Sequence, residues 1–394
     1  MIDYNKYISK RAKGLPTSGI RKFFDLVNEM PDAISLGVGE PDFITPWNIR
    51  DAAIKSIQKG YTRYTSNKGL PQLREGISGY LKARFNLEYN QDREIMVTVG
   101  ASEAIDLAVR ALCDPGDEVL IPGPSYVSYC PLVTVAGGVP VCIAVREEDE
   151  FRLTPEALAA AVTRKTKALI LPYPNNPTGA VMEKEHLLKL LPVIKKHKLI
   201  VISDEIYAEL TYEGSHTSIA SLPGMKERTI LLNGFSKAFA MTGWRVGYIA
   251  APEELLLPMY KIHQYCIMCA PTVSQYAAVS ALKQGGKENY SVIEEMRASY
   301  DMRRRFLVQA FRDMGFSCFN PRGAFYVFPN VSHTGMDGEE FANRLLKSQQ
   351  VAVVPGAAFG VSGRNFVRCC YATAMKDLQT AVERIEKFLI ELKN

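Results

Sequence analysis

The chain has 394 residues, more than one hydrophobic core usually supports, so its length predicts two domains. Hydrophobic residues make up 47% and charged residues 23%, a balance that is typical of globular proteins and excludes a fibre or a disordered chain. The formal net charge of +5 is small and the basic residues form no long run, which argues against nucleic acid as a partner and favours small anions.

The N-terminus lacks the apolar core of a signal peptide, and no apolar run approaches the roughly 18 residues of a membrane span. We therefore expect a cytoplasmic protein that does not contact a membrane. The eight cysteines are scattered and do not form the pattern of a disulfide framework. Cys266 and Cys269 have C-x-x-C spacing, but a zinc ribbon needs a second such pair. We expect no metal site, and we expect the thiols to be buried or partly buried.

Residues 95–251 alternate between short apolar runs and helical patterns. Short runs that are apolar throughout are typical of parallel strands covered by helices on both faces. We therefore expect an α/β fold whose large domain, residues 46–285, holds a mainly parallel seven-stranded sheet flanked by helices. Strands are predicted at residues 95–99, 118–122, 140–145, 168–171, 199–203, 229–232 and 246–250, with helices at residues 155–162 and 184–196 among them.

The pattern changes near residue 286, where helices become longer and strands fewer. The predicted elements are a long helix at residues 288–314, a strand at 324–328, and helices at 341–346 and 378–392. They indicate a smaller α+β domain, residues 286–394, to which the N-terminal segment, residues 1–45, also belongs. Three consecutive arginines, residues 303–305, lie within the long helix and are predicted to form its solvated face.

Reactive or polar side chains follow several predicted strands, and open parallel sheets bind their ligands at this edge. Gly100, Ala101 and Ser102 open a helix after the first strand, and free backbone N–H groups at a helix start bind anions. A carboxylate, Asp204, follows a second strand, and an amine, Lys237, follows a third. This combination favours a phosphorylated aldehyde cofactor over a nucleotide, because the sequence contains neither a G-x-x-x-x-G-K-[ST] loop nor a complete dinucleotide fingerprint.

The sequence S-K-A-F-A-M-T-G-W-R-V-G-Y at residues 236–248 resembles the lysine signature of class I aminotransferases, which belong to the pyridoxal-phosphate fold type I superfamily. Further segments that resemble this family occur in the family's order at residues 39–43, 64–65, 176–179, 204–207 and 366–368. These motifs are most similar to the bacterial branch that contains aspartate and aromatic aminotransferases. The resemblance implies a pyridoxal 5'-phosphate enzyme that moves the amino group of an L-amino acid to a 2-oxo acid such as 2-oxoglutarate, by a ping-pong mechanism.

The resemblance also implies roles for residues around the cofactor ring. Lys237 would hold the cofactor as a Schiff base and shuttle a proton at the substrate's Cα. Asp204 would pair with the pyridine nitrogen, and Tyr207 and Asn176 would hydrogen-bond the phenolic oxygen. Tyr126 matches an aromatic residue that stacks on the ring.

A second group of residues would hold the cofactor phosphate. Arg245 and Ser236 match phosphate ligands of the family, together with the turn formed by Gly100, Ala101 and Ser102. A guanidinium suits a phosphate because it donates paired hydrogen bonds.

The remaining implied roles concern the substrate and a second subunit. Arg368 matches the arginine that binds the substrate's α-carboxylate in bidentate fashion, with Gly39 and Asn176 beside the same group. Tyr64 resembles a tyrosine that reaches the phosphate of the neighbouring subunit. The resemblance therefore implies a homodimer with shared active sites.

Two other functions stay open. A C–S β-lyase of the same fold uses nearly the same lysine, aspartate and arginines. A non-catalytic regulator is a remote alternative, because regulators of this fold carry an additional N-terminal DNA-binding domain and only about 30 residues precede residue 34. The sequence does not identify the preferred donor amino acid. Candidates for contact with the substrate side chain are Arg21, Lys68, Arg322, Leu15, Ile20 and Tyr129.

Overall fold

The computed structural model describes residues 2–17, 19, 30, 32–288 and 290–393 of the chain, which form a mixed α/β structure. The strands are β1 (Ile34–Ser35), β2 (Ile95–Thr98), β3 (Glu118–Gly123), β4 (Val139–Ala144), β5 (Thr166–Leu171), β6 (Ile200–Asp204), β7 (Thr229–Gly234), β8 (Gly247–Ala250), β9 (Tyr326–Val327), β10 (Val351–Ala352), β11 (Val354–Pro355) and β12 (Val367–Cys370). The helices are α1 (Lys10–Lys13), α2 (Trp47–Gln58), α3 (Pro71–Phe85), α4 (Gly100–Leu112), α5 (Tyr129–Ala136), α6 (Pro155–Ala161), α7 (Lys184–Lys196), α8 (Glu253–Cys266), α9 (Thr272–Lys287), α10 (Ser291–Asp313), α11 (Gly338–Gln349) and α12 (Met375–Glu391).

One seven-stranded sheet has the order β2-β8-β7-β6-β5-β3-β4. Strand β8 runs antiparallel to both of its neighbours, and the other neighbouring pairs are parallel. The prediction of a mainly parallel seven-stranded sheet is therefore confirmed. Because β8 alone is reversed, the carboxyl ends of the other strands meet at one edge of the sheet.

Helices cover both faces of this sheet, since successive side chains of a pleated strand point to opposite faces. In β6, Val201 packs with side chains of α6 and α7, whereas Ile202 packs with side chains of α4 and α8. Both residues are fully buried. Helices α2, α3 and α9 cover the first of these faces near β2 and β8. The strands are apolar throughout because their side chains pack against a layer of helices on each face of the sheet.

The rest of the chain forms a second hydrophobic core, in which α10, α11 and α12 pack against short strands. Strands β11, β12 and β9 form a three-stranded antiparallel sheet. The N-terminal strand β1 pairs in parallel with β10, with Ile34 opposite Val351. The domain limits after residues 45 and 285 stay predictions.

The long helix predicted at residues 288–314 is α10, and its predicted start was wrong. Helix α9 ends at Lys287 and α10 begins at Ser291. Between them, Tyr290 has a positive φ of 57°, which an α-helix does not accommodate. Its ring packs so closely on Gly285 that a Cβ added to this glycine would lie 2.6 Å from the ring.

The strand predicted at residues 324–328 is also shorter than expected, because β9 contains Tyr326 and Val327 only. Ala324, at the predicted start, has a positive φ of 56° and cannot continue a strand. Its carbonyl oxygen accepts hydrogen bonds from the hydroxyl groups of Tyr212 and Tyr371 instead. The turn at this position is therefore held by tertiary contacts that the sequence pattern does not reveal.

The arginine triplet of α10 is not a solvated face, so this prediction was wrong for two of its members. Arg303 is 9% exposed and its guanidinium lies 2.8 Å from Asp42, and Arg304 is 4% exposed and lies 2.7 Å from Asp301. Arg305 is exposed, as expected. Buried charges must be paired. The partner of Arg303 is Asp42, which is distant in the sequence, so the local charge pattern does not indicate that this arginine is buried.

None of the helices in the described residues combines the length and the hydrophobicity that a membrane span requires.

Candidate active site

A cavity of about 780 Å³ lies where the carboxyl ends of the parallel strands meet. A volume of this size accommodates a cofactor together with a small substrate. Elements that follow β2, β3, β5, β6 and β7 all contribute to its wall. The sequence-predicted residues that line it are Gly39, Ala101, Ser102, Tyr126, Asn176, Asp204, Tyr207, Ser236, Lys237, Arg245 and Arg368.

Lys237 follows β7 and points its amine into the cavity. Its Nζ donates to the carbonyl oxygen of Gly39 at 2.7 Å, and no carboxylate of the described residues forms an ion pair with it. The rings of Tyr207 and Phe325 lie 5.7 and 5.4 Å from Nζ. Burial lowers the pKa of Lys237 to about 8. The amine is therefore much more often neutral, and so nucleophilic, than a solvated lysine is.

Asp204 is the last residue of β6 and is buried beneath the cavity. Its Oδ2 accepts a hydrogen bond from the hydroxyl of Tyr129 at 2.8 Å, and its Oδ1 accepts one from the backbone N–H of Ile206 at 3.2 Å. Burial raises the pKa of Asp204 to about 6. A cationic group placed next to it in the cavity would favour the charged carboxylate.

Two tyrosines of the cavity wall contact each other. The hydroxyl groups of Tyr207 and Tyr326 lie 2.7 Å apart, and burial raises the pKa of Tyr207 well above its ordinary value. Tyr326 and Tyr129 both line the cavity. No role was predicted for Tyr326, and Tyr129 was predicted only as a candidate for an apolar wall. Neither residue follows a sheet strand in a recognisable motif, so only the tertiary structure reveals that each contacts a predicted site residue.

The N-terminus of α4 and Arg245 form a cradle at one end of the cavity. A Cβ added to Gly100 would lie 2.6 Å from Nη2 of Arg245, and one added to Gly247 would lie 2.7 Å from the backbone nitrogen of Ala101. Glycine at these two positions therefore lets the guanidinium and the helix start approach each other. Arg245 donates from Nη1 to the carbonyl of Thr242 at 3.0 Å. Backbone N–H groups and a guanidinium in this arrangement suit an anion such as a phosphate.

Arg368 lies in β12 and is only 2% exposed. Nη1 donates to Oδ1 of Asn176 at 2.8 Å, and Nη2 donates to the carbonyl of Gly37 at 2.5 Å. Nε is buried and has no hydrogen-bond partner among the residues that the structure describes. The ring of Tyr326 lies 4.4 Å from the guanidinium carbon. Among the described residues no carboxylate pairs with this buried cation, so a carboxylate from a ligand would complete it.

Two predicted residues, Tyr64 and Gly100, do not line the cavity. Tyr64 is 81% exposed and lies outside the cavity of this chain. Gly100 lies behind the cavity wall, against Arg245, rather than in the wall itself. Tyr126 lines the cavity and packs edge to face on Tyr129, with ring centroids 5.5 Å apart.

The candidates for contact with the substrate side chain are mostly engaged elsewhere. Lys68 donates to a backbone carbonyl at 2.9 Å, and Arg322 forms an ion pair with Glu150 at 2.7 Å. These two cations and Leu15 do not line the cavity, whereas Tyr129 does. Arg21 and Ile20 lie outside the described residues.

In the part of the chain that the structure describes, no cluster of three or more His, Cys, Asp or Glu side chains could hold a metal ion. The expectation that all thiols are buried or partly buried was wrong for two of them, since Cys142 and Cys266 are exposed. Cys142 lies on the edge strand β4 and Cys266 ends helix α8.

The cavity brings together an amine, a carboxylate, an anion cradle and a buried guanidinium, a combination that aminotransferases share with related lyases of this fold. The family model of class I and II aminotransferases matches residues 31–385, and the chain belongs to this family.

Relatives of known name agree with this assignment. The chain is 52% identical to a Bacillus subtilis protein named putative aminotransferase YugH, over 97% of this chain and 98% of the relative. It is 47% identical to an aspartate aminotransferase of Pyrococcus abyssi, over 98% and 99% of the two chains. The crystal structure of an aromatic aminotransferase from Pyrococcus horikoshii superimposes with a TM-score of 0.90 at 47% identity, covering 94% of this chain and 99% of that one.

Proposed function

We propose that this aminotransferase moves the amino group of an L-amino acid, of the aspartate or aromatic type, to a 2-oxo acid such as 2-oxoglutarate. The observation that carries the proposal is a single cavity lined by the amine of Lys237, the carboxylate of Asp204 and the guanidinium groups of Arg245 and Arg368. Amino acid and oxo acid would occupy this one site in turn, which makes the mechanism ping-pong.

Class I aminotransferases use pyridoxal 5'-phosphate, and the residues of the cavity fit this group. When bound, the cofactor supplies an aldehyde that takes up the amino group and a ring that draws electrons from the substrate's Cα. The cradle between Gly100 and Arg245 suits the phosphate, the buried carboxylate of Asp204 suits a cationic ring nitrogen, and the amine of Lys237 suits the aldehyde. Each of these three features fits a different group of the same molecule, and together they support pyridoxal 5'-phosphate as the ligand.

Lys237 has two tasks in this proposal. Its Nζ would hold the cofactor through the aldehyde, and the free amine would accept and return a proton at the substrate's Cα. Burial lowers its pKa to about 8, so the released amine is poised to accept a proton near neutral pH. The carbonyl oxygen of Gly39, 2.7 Å away, orients Nζ at the cavity wall.

Asp204 would keep the ring nitrogen of the cofactor protonated, which lets the ring accept electrons. Without a cation beside it, burial raises the pKa of Asp204 to about 6, and a cationic nitrogen at the same place would lower it again. The hydroxyl of Tyr129 and the N–H of Ile206 each donate to one carboxylate oxygen and fix its orientation.

Tyr207 and Asn176 would hydrogen-bond the phenolic oxygen of the cofactor, and Tyr126 would stack on its ring. The contact between the hydroxyl groups of Tyr207 and Tyr326 supports this role. A hydroxyl has one hydrogen, so Tyr326 can donate to Tyr207 while Tyr207 donates into the cavity.

Arg245 and Ser236, with the backbone N–H groups of Ala101 and Ser102, hold the phosphate. All four residues line the cavity, and the guanidinium of Arg245 lies against Gly100 at the N-terminus of α4. The helix dipole adds to the charge of the guanidinium, so this end of the cavity anchors the cofactor before any substrate is present.

Arg368 binds the α-carboxylate of the substrate, assisted by Asn176 and by backbone near Gly39. The guanidinium is already oriented by Asn176 and by the carbonyl of Gly37. A fixed, planar partner sets the plane of the carboxylate and so decides which bond at Cα stands perpendicular to the ring.

We infer that the active enzyme is a homodimer in which Tyr64 completes the site of the neighbouring subunit. Its exposure of 81% in the isolated chain supports a role outside this chain's own cavity. Mixing inactive Lys237→Ala subunits with Tyr64→Phe subunits should restore some intact sites and raise activity above that of either parent. Absence of any such complementation would contradict the shared site.

A substrate panel tests the proposed reaction. Purified enzyme with cofactor and 2-oxoglutarate should form glutamate when aspartate, tyrosine or phenylalanine is the donor, and its rates rank the donors. The β-lyase alternative would instead release pyruvate and ammonia from a cystathionine-like substrate without any oxo-acid acceptor. Failure of every amino acid in the panel to yield glutamate would contradict the proposal.

A further inference from the structure

Two cysteines that are not adjacent in the sequence contact each other beside the active site. The sulfur atoms of Cys130 and Cys142 lie 3.5 Å apart. Cys130 is in the first turn of α5, and Cys142 is in β4, the edge strand of the large sheet. In contrast, no sulfur–sulfur hydrogen bond joins Cys266 and Cys269 in the described chain, although these two cysteines have C-x-x-C spacing.

The two thiols differ in access and in acidity. Cys142 is exposed, whereas Cys130 is partly buried between helix and strand. The hydrogen bond from Cys130 lowers the pKa of the Cys142 thiol to about 7. The lowered pKa increases the thiolate fraction of Cys142, and the thiolate is the form that attacks disulfides.

We propose that Cys130 and Cys142 form a redox pair, which a low-molecular-weight disulfide oxidises reversibly to an intrachain disulfide. The Cys142 thiolate attacks one sulfur of the small disulfide, forming a mixed disulfide and releasing the first small thiol. Cys130 then attacks Sγ of Cys142, gives up its proton, and expels the second small thiol. Two electrons pass from the protein to the small disulfide, and a dithiol reductant reverses both steps.

The pair is coupled to the active site through Tyr129, the residue before Cys130. Its hydroxyl contacts Asp204 at 2.8 Å and its side chain lines the cavity. Closing the sulfur–sulfur distance to that of a disulfide requires a movement of about 1.5 Å. To the extent that α5 takes part in this movement, Tyr129 shifts with Cys130 and its hydrogen bond to Asp204 is lengthened. We therefore expect oxidation to slow transamination roughly tenfold, an effect that rests on the proposed role of Asp204.

The covalent step can be tested independently of activity. Trypsin should release Cys113, Cys130 and Cys142 together, because no lysine or arginine lies between residues 111 and 145. The holoenzyme is incubated with glutathione disulfide, unfolded, and alkylated. The 111–146 peptide should then carry one alkyl group instead of three, and dithiothreitol should restore three. Three alkyl groups after oxidation would overturn the proposal.

Single-residue variants test which cysteines form the disulfide. Cys113→Ala, which alters a buried thiol of the same peptide, should still form the disulfide, whereas Cys130→Ser should stop at a glutathione adduct on Cys142. Wild-type enzyme and a Cys266→Ser control should lose turnover on oxidation and recover it with dithiothreitol. Cys130→Ser should keep its turnover. A disulfide that forms without any change in turnover would overturn the coupling to Tyr129.

Discussion

Arg368 in β12 donates from Nη1 to Oδ1 of Asn176, at 2.8 Å, across 192 positions of the sequence. The second hydrogen bond of the guanidinium goes to the carbonyl of Gly37. Both acceptors are uncharged, so they orient the guanidinium without neutralising it. A buried cation that is oriented in this way is prepared for an incoming carboxylate.

The first prediction concerns this cation. Arg368→Ala should remove a bidentate, largely desolvated charge pair with the substrate, which costs about 2–5 kcal/mol and lowers kcat/KM roughly 30-fold to several thousand-fold. Part of the loss should appear in kcat, because the pair also fixes the bond that faces the ring. Steady-state kinetics with an amino acid and with the corresponding amine, which lacks the carboxylate, provide the comparison.

The amine should lose little rate in Arg368→Ala, because it never contacted the guanidinium. Asn176→Ala should give a smaller loss with the amino acid, since it disturbs the orientation of Arg368 and leaves the charge in place. Equal losses for amine and amino acid would show that Arg368 does not bind the α-carboxylate.

The second prediction concerns Asp204. Asp204→Asn should fold and bind cofactor but lose roughly a thousandfold in turnover, because an amide cannot stabilise a cationic ring nitrogen. Tyr129→Phe serves as the matched variant, since it removes one hydrogen bond to the carboxylate and should cost about tenfold. Single-turnover measurements that find near wild-type rates in Asp204→Asn would contradict the proposed pairing.

The third prediction separates Arg245 from Arg368. Arg245→Ala should raise the Kd for pyridoxal phosphate about 10- to 100-fold, because charge-assisted hydrogen bonds to the phosphate are lost. The Kd for pyridoxal, which has no phosphate, should barely change. Arg305→Ala, an exposed arginine of α10, is the control and should leave both values unchanged. If Arg245→Ala weakens both ligands equally, its guanidinium does not act on the phosphate.

The fourth prediction follows from the pKa of Lys237. Because burial lowers this pKa from 10.5 to about 8, cofactor-free enzyme should capture the aldehyde about tenfold faster for each pH unit up to about 8, and then at a constant rate. The rate rises with pH because the neutral amine is the form that attacks the aldehyde. Stopped-flow absorbance gives the rates. A rate that still climbs about tenfold per unit above pH 9 would indicate an ordinary, solvated lysine.

Much of the large sheet was predictable from the sequence, because buried parallel strands are apolar throughout and are bounded by glycine and proline. Strand β7, predicted at residues 229–232, spans Thr229–Gly234. The cavity residues Asp204 and Lys237 were found by the same reasoning, since the ligand edge of such a sheet follows from its strand direction.

The sequence was less informative where tertiary contacts override local pattern. Tyr290 interrupts two helices through its packing on Gly285, and Arg303 is buried because Asp42 comes from a distant segment. The contact of Tyr326 with Tyr207 joins residues 119 positions apart. Neither hydrophobic periodicity nor motif spacing indicates which residues from distant segments contact each other.

Borohydride reduction of the holoenzyme, followed by peptide mapping, tests most directly whether Lys237 holds the cofactor. Reduction should fix one cofactor per chain on the peptide that contains Lys237, and Lys237→Ala should retain no label after unfolding. The cavity predicts this outcome because Nζ of Lys237 lies in its wall, with a pKa lowered to about 8 by burial. Label on any other lysine, or unchanged labelling of Lys237→Ala, would contradict the assignment of Lys237 and the mechanism built on it.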